Sequence, residues 1–248
     1  MGVLKTLTDE YFGDSIREED KIPIGDLDVE IVSFKDNNGK FHKHGYRVKE
    51  GNPDEMAKTL SILIERIIEK RGPECSLNDI DVSNQKKMIY KDEKYVSYGV
   101  FCTSPFNGDI SGWDVSSVEN MQGMFGGAKS FNQSLDKWDV SNVKDMSFMF
   151  IYAKSFNQDI SGWNVSNVED MKCMFEYATS FNQPLDNWGD KLSKVENMND
   201  MFCDATSFNQ DISGWDVSKV ENMSGMFNNT PLKKNNKLPK WYLDRMKK

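Results

Sequence analysis

Apolar and polar residues recur at a fixed spacing from Phe106 to Thr230. Five units begin at Phe106, Phe131, Phe156, Phe181 and Phe208. The first three steps are 25 residues and the fourth is 27, because Trp188 to Val195 holds two more residues than Trp163 to Val168. Counting from the Phe as position 1, unit one places apolar side chains at Phe106, Ile110, Trp113, Val115, Val118, Met121, Met124, Phe125 and Ala128. Such a period is the signature of a stacked array. Ile110, Trp113 and Val115 have the apolar-x-x-apolar-x-apolar spacing that opens a leucine-rich repeat. Trp113 and Val115 lie two apart, as on one face of a short strand. Met121, Met124 and Phe125 have the i, i+3, i+4 spacing of one helical face. The pattern predicts an α/β repeat solenoid, leucine-rich-repeat-like, with a short strand and a short helical turn per unit. No unit covers its own apolar face, so stacking must, with rungs about 5 Å apart.

The polar positions are also regular. Position 2 is always Asn (Asn107, Asn132, Asn157, Asn182, Asn209), which suits a hydrogen-bonded ladder or turn backbone far better than a ligand site. At positions 4 and 6 the carboxylate swaps sides from rung to rung: Asp109 and Ser111, then Ser134 and Asp136, then Asp159 and Ser161. Identical stacking would set like charges about 5 Å apart, and alternation lengthens that distance. Position 9, between the Trp and the Val, does not alternate: Asp114, Asp139, Asn164 and Asp216. The expectation is an outward acidic stripe, flanked by Ser116, Ser141, Ser166 and Ser218; the competing reading is a solvated row of turn residues.

The flanks read as attachments. Residues 28–35 and 40–48 are strand-like and joined by Asp36-Asn37-Asn38-Gly39, a hairpin signal. His42 and His44 share one face of the second strand and lack further ligands nearby, so they are expected as exposed residues rather than a metal site. A helix follows, with Asn52 as N-cap, Pro53 at the first position and Gly72-Pro73 as the stop. Met56, Leu60, Leu63, Ile64, Ile67 and Ile68 line one face, which is predicted to cover the open first rung. Residues 89–104 interrupt the array with Ile89, Tyr90, Tyr95, Tyr98, Val100 and Phe101, an ordered insertion able to carry specificity. The tail is basic; Pro239 opens a last short helix whose Trp241, Tyr242 and Met246 are expected to cover the final rung. The division is therefore 1–72 (hairpin and capping helix), 73–105 (degenerate first repeat with insertion), 106–230 (five repeats) and 231–248 (C-terminal cap).

Composition narrows the chemistry. Only 38% of the 248 residues are hydrophobic, which fits a thin stack with much surface per residue. A net charge of −8 argues against general nucleic-acid binding. No apolar run is long enough to span a membrane. The start lacks the apolar stretch of a signal peptide, so the chain reads as cytoplasmic unless a leader was removed. Met1-Gly2 fits a myristoylation pattern, and a plain start is the preferred reading. Cys75, Cys102, Cys173 and Cys203 form neither a CxxC pair nor a disulfide framework.

The units FNQDISGWDVSNVxxMxxMF resemble the 25-residue repeat of BspA-like leucine-rich-repeat surface proteins, also found in mycoplasma lipoproteins. Units two, three and five match closely, and unit four departs at its insertion. Residues 72–88 look like a degenerate entry unit, with Ile80, Val82 and Met88 at the Trp, Val and Met positions, and residues 231–242 look like a closing segment. The resemblance implies protein or surface recognition, often adhesion, and no catalytic residues.

Function follows as an expectation. A capped solenoid presents a long regular face that suits a protein or peptide, a cationic one if the stripe of Asp114, Asp139, Asn164 and Asp216 takes part with Tyr95 and Tyr98 of the insertion. The irregular stretch 189–194 is a further candidate. The chain is read as a monomer. A structural or self-assembling surface component is the alternative. An enzyme is disfavoured, because there is no nucleophile–base pair, no phosphate loop and no metal-ligand spacing, so neither cofactor nor metal is expected.

Overall fold

The computed structural model describes residues 22, 24–91 and 97–247; of Tyr98 it describes the backbone alone. Tyr95 and Met1-Gly2 lie outside the described residues.

The units stack as successive rungs. Single-residue parallel bridges link Lys87, Asn120, Asp145, Asp170, Asn197 and Asn222, one from each rung. Around them runs a ladder of backbone bonds with period two. The N–H groups of Met121, Gly123, Phe125 and Gly127 donate to the carbonyls of Asp145, Ser147, Met149 and Ile151 in the next rung, at 2.9, 2.9, 2.9 and 2.7 Å. The same four positions repeat the bonds up to rung five. There the N–H groups of Met223, Gly225, Phe227 and Asn229 have no partner among the described residues.

The large side chains form columns. Phe106, Phe131, Phe156, Phe181 and Phe208 stack at 6.2, 6.1, 6.0 and 6.1 Å between ring centroids. A second column, Phe125 to Phe227, interleaves with the first, with cross-column pairs such as Phe150–Phe156 at 4.0 Å. Each Trp indole N–H donates to the position-5 carbonyl of the preceding rung: Trp113 to Leu77, Trp138 to Ile110, Trp163 to Leu135, Trp188 to Ile160 and Trp215 to Leu185, at 2.9–3.2 Å. An indole in a core needs such an acceptor. The asparagines form a third column, each Oδ1 accepting from the position-2 N–H of the next rung, as in Asn157 N–H to Asn132 at 2.8 Å.

Within a rung the local structure differs from the strand and helical turn that the spacing predicts. The Trp-x-Val segment makes no strand. Asp114, Asp139, Asn164 and Asp216 each bond the N–H of the Ser two residues on, and this side-chain competition bends the backbone into a turn. The Met-x-x-Met-Phe segment makes no α-helix. Positions 18 and 22 take left-handed backbone, as in Gly123 (φ 62°) and Gly127 (φ 70°), so i→i+3 bonds close two turns in succession, Met124 N–H to Met121 and Ala128 N–H to Phe125. The apolar side chains still face inward. The Asp and Ser of positions 4 and 6 pair inside their own rung, as Ser111 N–H to Asp109 and the Ser134 hydroxyl to Asp136. In unit four the two extra residues are absorbed by a 3₁₀ helix, Asp186–Lys191. Leu192 then fills the buried place held by Val in the other rungs.

Both ends are closed. Strands β1 (Val29–Lys35) and β2 (Phe41–Val48) are antiparallel, and β2 pairs in parallel with β3 (Ile80–Asp81) of the degenerate rung. The hairpin turn grips the first rung: Asn37 N–H donates to the Gly112 carbonyl at 2.9 Å, and the Asn38 amide to Ser111 Oγ at 2.9 Å. A Cβ on Gly112 would come within 2.9 Å of Asp36 Oδ2 and Asn78 Oδ1. The histidines depart from the exposed-histidine expectation, His44 being partly buried as well as His42. His42 is partly buried, 2.8 Å from Asp36 and stacked on Phe34 at 5.0 Å. Burial pushes the Asp36 carboxyl up, but the bonds from His42 and the Lys40 N–H outweigh it and hold it below its ordinary range.

Helix α1 (Pro53–Arg71) is capped by Asn52 and packs on β2 and on Ile89–Lys91 of the insertion. The insertion is narrower than the sequence suggests. Strands β4 (Ile89–Lys91) and β5 (Ser97–Gly99) form a hairpin, after which Phe101 and Thr103 rejoin the ladder through Met124 and Gly126. Phe101 heads the Phe columns, 4.9 Å from Phe106 and 5.2 Å from Phe125.

At the far end Thr230 stands where the other units have Ala and caps α2 (Pro231–Lys234). Helix α3 (Lys240–Met246) continues the Trp column: Trp241 stacks 6.4 Å from Trp215 and donates to Ile212. Met246 is 51% exposed, contrary to its expected place over the rung. Arg245 reaches back instead, to the carbonyls of Val217 and Val220. One hydrophobic core joins the hairpin, α1, every rung and Tyr242.

Two predictions follow from the columns. Trp163→Phe removes an indole and its rung-to-rung bond to the Leu135 carbonyl, which keeps only the N–H of Trp138, so urea denaturation should show a loss of about 1–3 kcal/mol. Burial pushes the Asp145 carboxyl up, and the Asp170 charge in the next rung adds to that. A raised carboxyl binds its proton more readily folded than unfolded, so its contribution to stability is lost as pH rises through the raised value. Asn occupies this position in rungs one, four and five. Asp145→Asn should therefore be more stable than the parent at neutral pH, by on the order of 1 kcal/mol, with the gap closing below about pH 4.

Candidate binding groove

Positions 18, 21 and 22 of successive rungs lie along one face, and their sizes change sharply between rungs. Rung one has Gly123, Gly126 and Gly127; rung two has Phe148, Ile151 and Tyr152. Small residues beside large ones make a step, and the inserted hairpin supplies a facing wall through Ile89, Ser97 and Gly99. The result is a mostly apolar groove of about 510 Å³ floored by Cys102, Thr103 and the three glycines. It adjoins a second hollow lined by Pro105, Lys129 and Tyr152. A Cβ on Gly123 would meet nothing within 4 Å, so this residue opens onto the groove.

The wall is built at a cost. The backbone at positions 18 and 22 is left-handed, which suits Gly123, Gly127 and Gly225. Phe148 (φ 60°), Tyr152 (φ 57°), Cys173 (φ 54°) and Tyr177 (φ 57°) adopt it too, at roughly 1–2 kcal/mol per residue. Local contacts offset part of this. Tyr152 and Tyr177 stack at 4.6 Å and 5°, and the Lys172 ammonium lies 5.4 Å from the Phe148 ring centre. Tyr152 nevertheless stays 43% exposed. The ladder imposes this backbone on positions 18 and 22 of every rung, and strain of this kind persists where the surrounding structure holds it.

Further along the same face stand Glu176 in rung three and Asp200 and Asp204 in rung four. Burial pushes the Cys173 thiol up, and the Glu176 side chain adds to this through a hydrogen bond and its charge. Burial and a hydrogen bond to Asp204 push Cys203 up to about 12. Tyr177 is raised chiefly by the Asp204 charge. Burial raises Cys102 in the groove floor as well. These thiols stay protonated at neutral pH and are poor nucleophiles.

The residues singled out from the sequence lie elsewhere. Asp114, Asp139, Asn164 and Asp216 do occupy one place in successive rungs, interrupted at rung four, where Gly189 accepts from Asp216 N–H. Asp114 is partly buried and the other three are exposed. Each spends one carboxylate or amide oxygen on its own turn, and the Ser218 N–H holds Asp216 below its ordinary range. None lines the groove. The insertion does reach it, through β4 and β5. The groove escapes a reading that follows constant positions, because positions 18, 21 and 22 are the variable ones. The usable signal is GMFGGA set against FMFIYA.

Residues 94–193 and 191–248 match the family described as Mycoplasma protein of unknown function, DUF285. The chain belongs to that family. The matched span takes in the five rungs and the C-terminal cap of this DUF285 protein, and leaves out β1, β2 and α1. No curated protein and no solved structure matches the chain. Among the described residues, no helix is long and apolar enough to cross a membrane, and no cluster of three or more His, Cys, Asp or Glu could hold a metal ion.

The raised thiols give a direct check. Labelling of Cys173 and Cys203 by a disulfide reagent near pH 8 should run at least about tenfold slower than that of a free cysteine peptide, and faster labelling would contradict the burial described.

Proposed function

We propose that the chain is a non-catalytic protein-interaction module. It is a capped, leucine-rich-repeat-like solenoid of the BspA-like kind, with the strand reduced to one bridging residue per rung and the helical turn replaced by two left-handed turns. It acts as a monomer and takes a segment of a protein or peptide in the groove between the inserted hairpin and rung two. A cell-surface or adhesive setting fits the BspA-like resemblance. The observation that carries the reading is the wall itself: Phe148 and Tyr152 hold left-handed backbone where Gly serves in rung one, and Tyr152 remains largely exposed beside an apolar hollow of about 510 Å³. A fold indifferent to this surface would be more stable with Gly or Asn there.

Gly123→Phe tests the reading. It places in rung one the residue that rung two carries at the same φ, at a cost of about 1–2 kcal/mol, and it fills the groove. Peptides selected from a phage-displayed random library on the intact chain should bind Gly123→Phe at least about tenfold more weakly, and should keep their affinity for the triple variant Asp114→Lys, Asp139→Lys, Asp216→Lys. Peptides that ignore Gly123→Phe but fail on the triple variant would move the site to the acidic stripe.

A further inference from the structure

We propose that the groove takes an extended segment in which one large apolar side chain is followed, about three residues on, by lysine or arginine. This rests on the binding reading above and adds the chemistry of the partner.

The apolar hollow lies at rungs one and two. The next outward positions along the stack carry Glu176, Asp200 and Asp204. Their fields meet on the same thiols: Glu176 and Asp200 both act on Cys173 and, with Asp204, on Cys203. Between hollow and carboxylates stands the Tyr152–Tyr177 pair, whose stacked rings offer aromatic surface. Cations are favoured over such surface, and the wall already holds one: the Lys172 ammonium sits over Phe148. At the other end, Lys129 lines the hollow that continues the groove toward Pro105. The face therefore runs from lysine at rung one, through apolar surface, to carboxylates at rungs three and four. That polarity sets the direction of a bound chain, with its basic side chain toward the later rungs.

The spacing follows from the stack. Rungs lie about 4.8 Å apart and an extended chain advances about 3.3 Å per residue, so two rungs correspond to about three residues. An acidic segment in the same place would bring like charges together in partly dehydrated surroundings, which disfavours it.

The test is the sequence preference and charge dependence of peptides selected from the phage-displayed library on the intact chain, followed by fluorescence anisotropy with the synthetic winners. The expected result is lysine or arginine about three residues from an aromatic or leucine anchor. Glu176→Gln combined with Asp200→Asn should weaken these peptides by about tenfold and flatten their salt dependence, with thermal melting as the check on folding. If that variant does not fold, glutamine in place of the basic residue of the peptide should produce the same weakening on the parent chain. Winners that lose affinity for Gly123→Phe yet show no basic preference would overturn the charged partner and leave the groove standing. Winners indifferent to Gly123→Phe, or no winners at all, would overturn the groove and this proposal together.

Discussion

The structure depends on the bond from each Trp indole N–H to the position-5 carbonyl of the rung before it. The bond is satisfied only when one rung sits in register on another, because donor and acceptor belong to different units. A slip by one residue would leave six indole N–H groups without an acceptor, at about 1–3 kcal/mol for each group, while each carbonyl kept the N–H of its own rung. The same bond runs past the array at both ends, since Leu77 accepts for the degenerate rung and Trp241 donates from the cap. The Phe columns and the Asn ladder then find their partners at no further cost in register. Contacts between neighbouring rungs thus carry the one core from the hairpin to the closing helix.

Legibility divided along the same line. The stacking residues were plain in the sequence because they repeat, and so were the N-cap at Asn52, the hairpin turn and the closing role of Trp241. Local backbone was not. Trp113-x-Val115 and Met121-x-x-Met124-Phe125 have the spacings of a strand and a helix, yet Asp114 and Gly123 decide otherwise. The first bonds its own backbone; the second allows a left-handed turn. Period alone reports which side chains face inward, not the dihedral angles that bring them there. His42 and Met246 were misplaced as well. His42 is placed by Asp36 and Phe34 of its own hairpin, and Met246 stays exposed while its neighbour Arg245 reaches Val217.

The groove lay outside the repeat in a stricter sense, because it exists where neighbouring units disagree. Identical rungs would make a flat wall. Three glycines beside Phe148, Ile151 and Tyr152 make a ledge, and the hairpin between Met88 and Val100 encloses it. The aromatic side chains are held in backbone that disfavours them, next to carboxylates that add to the burial keeping two thiols protonated. Regular positions hold the molecule together, and irregular ones give this face its individual shape and charge.

The N–H groups of Met223, Gly225, Phe227 and Asn229, unpaired among the described residues, bear on how such chains can lengthen. Their counterparts in rung four are bonded, and the closing helix engages the Trp and Phe columns and, through Arg245, the carbonyls of Val217 and Val220. A duplicated unit spliced in ahead of Pro231 would find donors waiting, an aromatic platform beneath it and an unchanged lid above. Growth by whole modules therefore disturbs nothing already built, and the number of rungs is free to drift while the ledge near the opposite end stays as it is.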